Sequence, residues 1–474
     1  MNRLLPLLLC WACVSIDTLQ AQRLTDHLDQ KWSTYIGLTT FRTNFKLYNN
    51  WIIIGSNGDH VNDPMYMDEN AGVKIVDLKS GEIVKTLEEG EFWDTDVNGI
   101  EVVGDKLYFG NDNEEFFCYN LKTLTEEWSI RTSGDIECAP ALSDINGDGI
   151  KELIIATEAG EISALNAKDG KYLWTYRVPG FEGYASSNTN IVAFKIFTTF
   201  RTAGTHFYTT PLMDDVNNDG IKDAIISSGD HYTYCVNGKT GALIWRVEGG
   251  EYTHEIIKYN GNYLVQTNEN IFNNEEADQY SSWDFDYVRV LDKTGRKNQT
   301  ANIRIPNYYS GGDFLVEDDK IITPISDGIA QVDIKTGKTR IIYFPDVEEY
   351  EQFSDGNINF TKPKTYSKAP AAWDKAHIPY ITVNTTWKKW TRPTTVCKAE
   401  VLPEWEGEEY CFHYSDRLVV VRHDFSSIRI MSIGENEPGT TKTTEAEPMF
   451  FNRGGQSYYL SATSDGKLHL FEMK

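Results

Sequence analysis

Two short stretches carry the densest oxygen donors in the chain. In LSDINGDGIKE, residues 142–152, Asp144, Asn146 and Asp148 stand at alternate positions, followed by Gly149 and then Glu152. Asp215, Asn217, Asp219, Gly220 and Asp223 repeat that spacing 71 positions later. Calcium takes about six to eight oxygen ligands, and alternate acidic positions on a tight turn converge several of them without a large cavity. The expected donors are Asp144, Asn146, Asp148, the Ile150 carbonyl and Glu152 in the first turn. In the second they are Asp215, Asn217, Asp219, the Ile221 carbonyl and Asp223. Gly149 and Gly220 permit the left-handed backbone such a turn needs. Two structural calcium ions are expected; the alternative is an Asx-rich hairpin turn that needs no ion. An EF-hand loop is excluded, because its closing acid would fall on Ile155 and Ile226, inside apolar runs.

The elements that position these turns are read from a repeat. PALSDINGDGIKELIIATEAGEISALNAKDGKYLW (140–174) and PLMDDVNNDGIKDAIISSGDHYTYCVNGKTGALIW (211–245) align without a gap. Each reads as a short strand, the acidic turn, an apolar strand, a polar turn, a third strand, a glycine turn and a strand bearing Trp174 or Trp245. That is a four-stranded antiparallel sheet. Weaker copies begin at Pro370 and Pro448, and the piece from third strand to glycine turn recurs at 73–84, 116–128, 288–297 and 330–340. About eight units follow, starting near residues 45, 98, 138, 208, 254, 312, 369 and 447. Such sheets bury their faces only against one another, which predicts an all-β fold: a single β-propeller of eight blades, with seven as the alternative. The chain ends on a third strand, GKLHLFEMK, and LDQKWSTYIG (28–37) supplies a fourth with Trp32 in the recurrent tryptophan place. The N- and C-terminal strands are therefore expected to share a blade and leave no open sheet edge.

The segments ALNAKDGKYLW, CVNGKTGALIW and QVDIKTGKTRI resemble pyrroloquinoline-quinone-type propeller repeats, of the form A-x-D-x-x-T-G-x-x-x-W. The two acidic turns resemble the FG-GAP calcium loops of integrin-type propellers. The resemblance implies the propeller fold over nearly the whole mature chain. It fixes no activity, since that repeat family includes redox enzymes and assembly factors. Quinone dehydrogenases of this class carry a vicinal cysteine pair over the quinone ring. No adjacent cysteines occur here, and a quinone is not expected.

Arg3, the apolar run Leu4 to Val14 and the IDTLQAQ that follows have the order of a secretory signal peptide, residues 1–21. A secreted or periplasmic propeller over 22–474 is expected, without a transmembrane segment. Cys10 and Cys13 lack a convincing flanking run of small residues, so no lipid anchor is expected. The net charge of -25 excludes nucleic acid as a partner. In an oxidising compartment Cys397 and Cys411, flanking one loop-like segment, are expected to form a disulfide. Cys118 and Cys235 occupy equivalent repeat places as small buried thiols; their partners and that of Cys138 are left open. A monomer is expected.

With the first strand of each blade innermost, the acidic turns share one face, and the long insertions share the other. The insertions are 56–71, 180–204, 267–286, 346–368 and 384–415. They carry Asp59, Asp63, Asp68, Glu69, Glu275, Glu276, Asp278, Asp284, Glu348, Glu349 and Glu351 beside Trp283, Phe285, Trp387, Trp390 and Trp405. Aromatic platforms of this kind suit sugar rings or peptide side chains. Residues entering the first strands should line the channel mouth: Asp96, Asp135, Glu137, His206, Tyr208, Tyr252, His254, Asp313 and Glu445. Within that ring His206, Tyr208, His254, Asp135 and Glu137 are the candidate catalytic set, suited to proton abstraction. Two functions follow. One is a noncatalytic, calcium-stabilised scaffold binding a protein or glycan on its insertion-rich face. The other is a carbohydrate lyase or hydrolase working at the channel mouth.

Overall fold

The computed structural model describes residues 22–59, 70–88, 95–179, 207–230, 232–249, 254–267, 286–301, 303–305, 313–325, 328–343, 350–355, 358–363, 394–414, 416–433 and 446–473. Within them the chain forms seven four-stranded sheets and one five-stranded sheet, with a separate two-stranded hairpin, Tyr350–Asp355 and Ile358–Pro363. In blade 3, for example, Ala141–Ser143, Glu152–Ala156, Glu161–Leu165 and Tyr172–Arg177 lie side by side and antiparallel, in chain order. The architecture is an eight-bladed β-propeller with blades at 45–87, 100–131, 141–177, 212–248, 257–305, 315–343, 397–432 and 449–472. The last is completed by Asp29–Tyr35, which pairs with Lys467–Glu472 and sets Trp32 opposite Leu470.

The sequence pattern explains the layering. The second and third strands are buried along their length, as in Glu152–Ala156 and Asp223–Ser227, because both faces of a blade are covered by its neighbours. The fourth strands alternate half-buried and exposed residues and form the rim. First strands of adjacent blades touch one another in blades 1 and 2 and in blades 3 and 4, which places them around the channel.

One expected unit is misplaced. The seventh blade begins at Cys397–Ala399 rather than near 369, and continues through Glu409–His413, Arg417–Arg422 and Ile428–Ser432. The proline that marks several first strands is absent there, and Val396 takes its place. The segment from Pro370 lies outside the described residues. Residues 397–413 therefore belong to a blade, not to an insertion, and Cys397 and Cys411 sit on paired strands. Both thiols are free in this structure, so the expected disulfide is not formed in it.

Blades are joined by a recurring contact. Trp32, Trp128, Trp174 and Trp245 donate their indole N–H to carbonyls on the glycine turn of the next blade, those of Leu78, Ala167, Gly238 and Lys293, at 2.7–3.2 Å. A half-buried indole N–H needs such an acceptor. The ring lies flat on the turn: a β-carbon at Gly81, Gly170, Gly241 or Gly295 would meet Trp32, Trp128, Trp174 or Trp245 at 2.6–2.8 Å. At two seams where the tryptophan is missing, so is the glycine. Lys85 stands in its place in blade 1 and reaches the carbonyl of Leu124, a non-glycine at φ 54. Arg340 stands there in blade 6, bonds the carbonyls of Asp424 and Phe425, and lies over the Phe425 ring, again at a non-glycine with φ 56.

The seam between blades 7 and 8 differs, because the receiving turn is where the two ends of the domain meet. Arg429 occupies the tryptophan place, pairs with Glu404 and stacks 5.1 Å over Trp405. Gln22–Arg23 adds a fifth, parallel strand along Ile428–Ser432. Leu24 and Leu28 then sink into a cluster with Val401, Leu402, Trp405 and Phe471.

Two glycines with left-handed backbone separate the indole contact from backbone strain. Gly104→Ala, where a β-carbon meets open space, is expected to cost about 1 kcal/mol. Gly241→Ala, which drives a methyl into Trp174, is expected to cost about 2–4 kcal/mol. Denaturant midpoints of the two variants check the difference.

Candidate functional site

The two acidic turns close on their own backbone. Asp144 accepts from the amides of Gly147 and Gly149 at 2.7 and 2.8 Å, Asn146 from that of Asp148, and Asp148 from that of Ile150. In the second turn Asp215 accepts from Asp219 and Gly220, Asn217 from Asp219, and Asp219 from Ile221. Amide donors, that of Gly149 foremost, hold the Asp144 carboxyl below its ordinary range. Positive φ at Gly147, Gly149 and Gly220 lets the chain wrap in this way.

The closing acids, by contrast, are buried. Glu152 takes the Ile145 amide and the Asn146 side chain; Asp223 takes the amides of Val216, Asn217 and Gly238 and the side chain of Asn237. Burial raises both carboxyls. Asp223 thus ties the acidic turn of blade 4 to its glycine turn, the turn whose Gly238 carbonyl receives Trp174. Each expected side-chain ligand of calcium already accepts a hydrogen bond within its own blade. Among the described residues no three His, Cys, Asp or Glu side chains converge as a metal site.

The channel mouth sorts the remaining candidates into two groups. In the first, Arg42 joins Glu137 to Tyr208. Its guanidinium lies 2.9 Å from Glu137 and within 5.1 and 4.7 Å of the ring centroids of Phe41 and Tyr208, which meet edge-on. Glu137 also accepts from Asn98, which in turn accepts from Thr40. Burial pushes the Glu137 carboxyl well up; Arg42 opposes this, and Glu158 and Asp135 add to it. The carbonyl of Asp135 receives the Glu158 amide. In the second group the buried His254 meets Asp313 at 3.2 Å, and Asp313 also accepts the Glu255 amide. His206, Tyr252 and Glu445 lie outside the described residues.

Arg42, Glu255 and Glu447 escape the repeat-based reading. Arg42 lies on the link from the closing strand to blade 1, where the repeat offers no template. The other two could have been found by register. The residue two places before each first strand is Thr43, Asn98, Ala139, Thr210, Glu255, Asp313, Thr395 or Glu447, so one layer of the channel gathers three acids in blades 5, 6 and 8. Glu255 and Glu447 are exposed to solvent, yet enough protein surrounds them for burial to be the first cause raising both carboxyls, as for residues lining a channel. Burial first, then Asp313 and Glu447, raises Glu255 to about 8.

The insertion face is described only in part. Asp59 accepts from Tyr35 and Asn70. Trp405 is no exposed platform: it is 8% exposed and packs under Arg429. The strand holding Glu351 is described without its side chain, and the other acids and aromatics of the insertions lie outside the described residues.

Four-stranded blades, the tryptophan-to-glycine-turn contact and the terminal closure define the class: this chain is a β-propeller of pyrroloquinoline-quinone-like repeats. Within that class its similarities are as follows. The family model described as outer membrane protein assembly factor BamB matches residues 66–204. The outer membrane protein assembly factor BamB of Moranella endobia (strain PCIT) is 21% identical over 210 residues, 39% of this chain and 53% of that protein. The chain thus spans about half the length of this curated relative. Among solved structures, BamB from Moraxella catarrhalis superposes with a TM-score of 0.53 at 12% identity, covering 94% of this chain and all of that one. Quinohemoprotein alcohol dehydrogenase from Comamonas testosteroni gives 0.52 at 12% identity, covering 94% and 77%. Both structures share the fold.

The acidic layer predicts a pH dependence. The unfolded chain releases the Glu255 proton near the ordinary 4.5, while the folded channel keeps it to about 8. The folded state therefore holds more protons through that window, and stability falls as pH rises across it. Glu447 shifts the same way. The melting temperature of the native protein should decline from about pH 5 to about pH 8, and Glu255→Gln should flatten the decline.

Proposed function

We propose that this propeller is an exported scaffold that binds a protein partner during outer-membrane protein assembly. The observation that carries the reading is the match over 66–204 to the BamB family description, which runs from within blade 1 to the link after blade 3. The candidate catalytic residues support it as well. Glu137 and Tyr208 are engaged with a buried arginine, and His254 with Asp313, as in a structural channel lining. Among the described residues no helix is long and apolar enough to cross a membrane. Cleavage after a signal peptide and residence in the periplasm belong to the same proposal.

The binding face we assign is the one bearing the links between blades and the turns between second and third strands. A photo-crosslinking residue placed at Ser133, exposed on the link between blades 2 and 3, is expected to capture a component of the outer-membrane assembly machinery. The same probe at Lys168, exposed on the opposite face, should capture none. Equal capture from both sites, or none from Ser133 in cells, would remove this reading. A glycan ligand on the same face is the alternative outcome, reported by a glycan array.

Calcium enters the proposal as a competitor for the acidic turns, since binding would exchange the amide contacts of Asp144 and Asp148 for coordination. Calcium is then expected to raise the melting temperature over that in chelator, and Asp148→Ala with Asp219→Ala to abolish the rise. Equal melting temperatures in both would leave the turns held by hydrogen bonds alone.

A further inference from the structure

Cys397 and Cys411 are register partners on the first two strands of blade 7. Directly opposed residues of an antiparallel pair place their Cα atoms about 4.5–5.5 Å apart, with both side chains on one face. That separation lies inside the range of about 4.4–6.8 Å that a disulfide spans. The Sγ of Cys397 is 3.4 Å from the Cys411 carbonyl oxygen, so the thiol is directed at its partner residue. Cys118 and Cys235 have no such pairing. The register partners of Cys118 are Tyr108 and Trp128, and those of Cys235 are Ile225 and Trp245.

We propose that Cys397 and Cys411 are a disulfide site whose closure reinforces the seam between blades 7 and 8. The segment they would close, 398–410, carries Leu402, Glu404 and Trp405. Glu404 and Trp405 hold Arg429, and Leu402 and Trp405 share the cluster that receives Leu24 and Leu28. This is the seam where an arginine replaces the indole and where the ends of the domain meet, so a covalent tie there supplies what a tryptophan on a glycine supplies elsewhere.

The chemistry is thiol–disulfide exchange. One cysteine thiolate attacks the disulfide of an oxidoreductase or of oxidised glutathione and expels one thiol; the second thiolate then attacks the mixed disulfide and expels the other. The chain loses two protons and two electrons, and the oxidant's disulfide is reduced to two thiols. Cys411 is fully buried among Val420, Met431, Tyr459 and Phe471, and burial raises the Cys397 thiol to about 12. Buried thiols of this kind react slowly. The bond therefore forms most readily before blade 7 packs.

Trypsin cleaves after Lys398, between the two cysteines, which makes the bond directly readable. The full chain is produced in an oxidising compartment, alkylated at lysis and digested without reductant. The expected product is one linked species joining the peptides 390–398 and 399–417, lighter by two hydrogens than their sum and split by reductant. Recovery of both peptides as alkylated free thiols would overturn the proposal, as would a linkage of either cysteine to Cys118, Cys138 or Cys235. A second arm reads the seam: reduction should lower the melting temperature by a few degrees in the native protein and leave the Cys397→Ser variant unchanged. An equal melting temperature before and after reduction of the linked native protein would show that the bond does not hold the seam.

Discussion

A flat indole resting on a turn with no room for a β-carbon is the contact on which this ring depends. Blades present apolar faces to each other, and such faces slide unless something fixes their register. The indole N–H supplies a directed bond to a carbonyl, and the glycine beneath it supplies an approach distance that other residues would block. The substitutions strengthen the point. Lysine and arginine reach carbonyls further along the turn, those of Leu124 and of Asp424 and Phe425, with flexible side chains, and those turns carry Leu124 and Phe425 where a glycine stands elsewhere. At these two seams the pair is lost together, while blade 6 keeps Gly337 on its turn although blade 5 presents no tryptophan, so the steric demand belongs to the ring and not to the turn.

The acidic turns draw their meaning from that contact. Asp223 gathers donors from both turns of blade 4 and so fixes the carbonyl that receives Trp174. A carboxylate suited to this role must be short, buried and saturated with donors. In the first copy the half-buried Asp144 and the exposed Asp148 arrange the turn ahead of the buried Glu152. Two kinds of acid are thus interleaved in a stretch that looks uniform.

Much of the architecture was legible because the propeller repeats itself. Gapless alignment of 140–174 with 211–245 yields the strand order, and Trp32 in its recurrent place reveals the terminal closure. Blade 7 was misread because its first strand lacks the proline that blades 3, 4 and 8 share, and a proline at 370 offered a false start. The channel was harder to read. Tyr208 and Glu137 were placed in one candidate set at the channel mouth, but Arg42, which joins them, comes from a link with no repeated counterpart. Similarly, the layer of Glu255, Asp313 and Glu447 emerges only when positions are counted from the first strand of every blade, since no local motif announces it.

The closure of blade 8 has a consequence for the order of events during synthesis. Trp32 and its partner Leu470 are separated by almost the entire chain. At about 5–20 residues per second, the ribosome takes roughly 20 to 90 seconds to deliver the second after the first. Throughout that interval the segment Asp29–Tyr35 has no sheet to join, and blade 1 has no neighbour on one side. Blades 1 to 7 can stack progressively, yet the ring gains its last interface in a single late event. A propeller sealed in this way is therefore assembled as an open arc first, and its last blade stays one strand short until the two ends of the polypeptide meet.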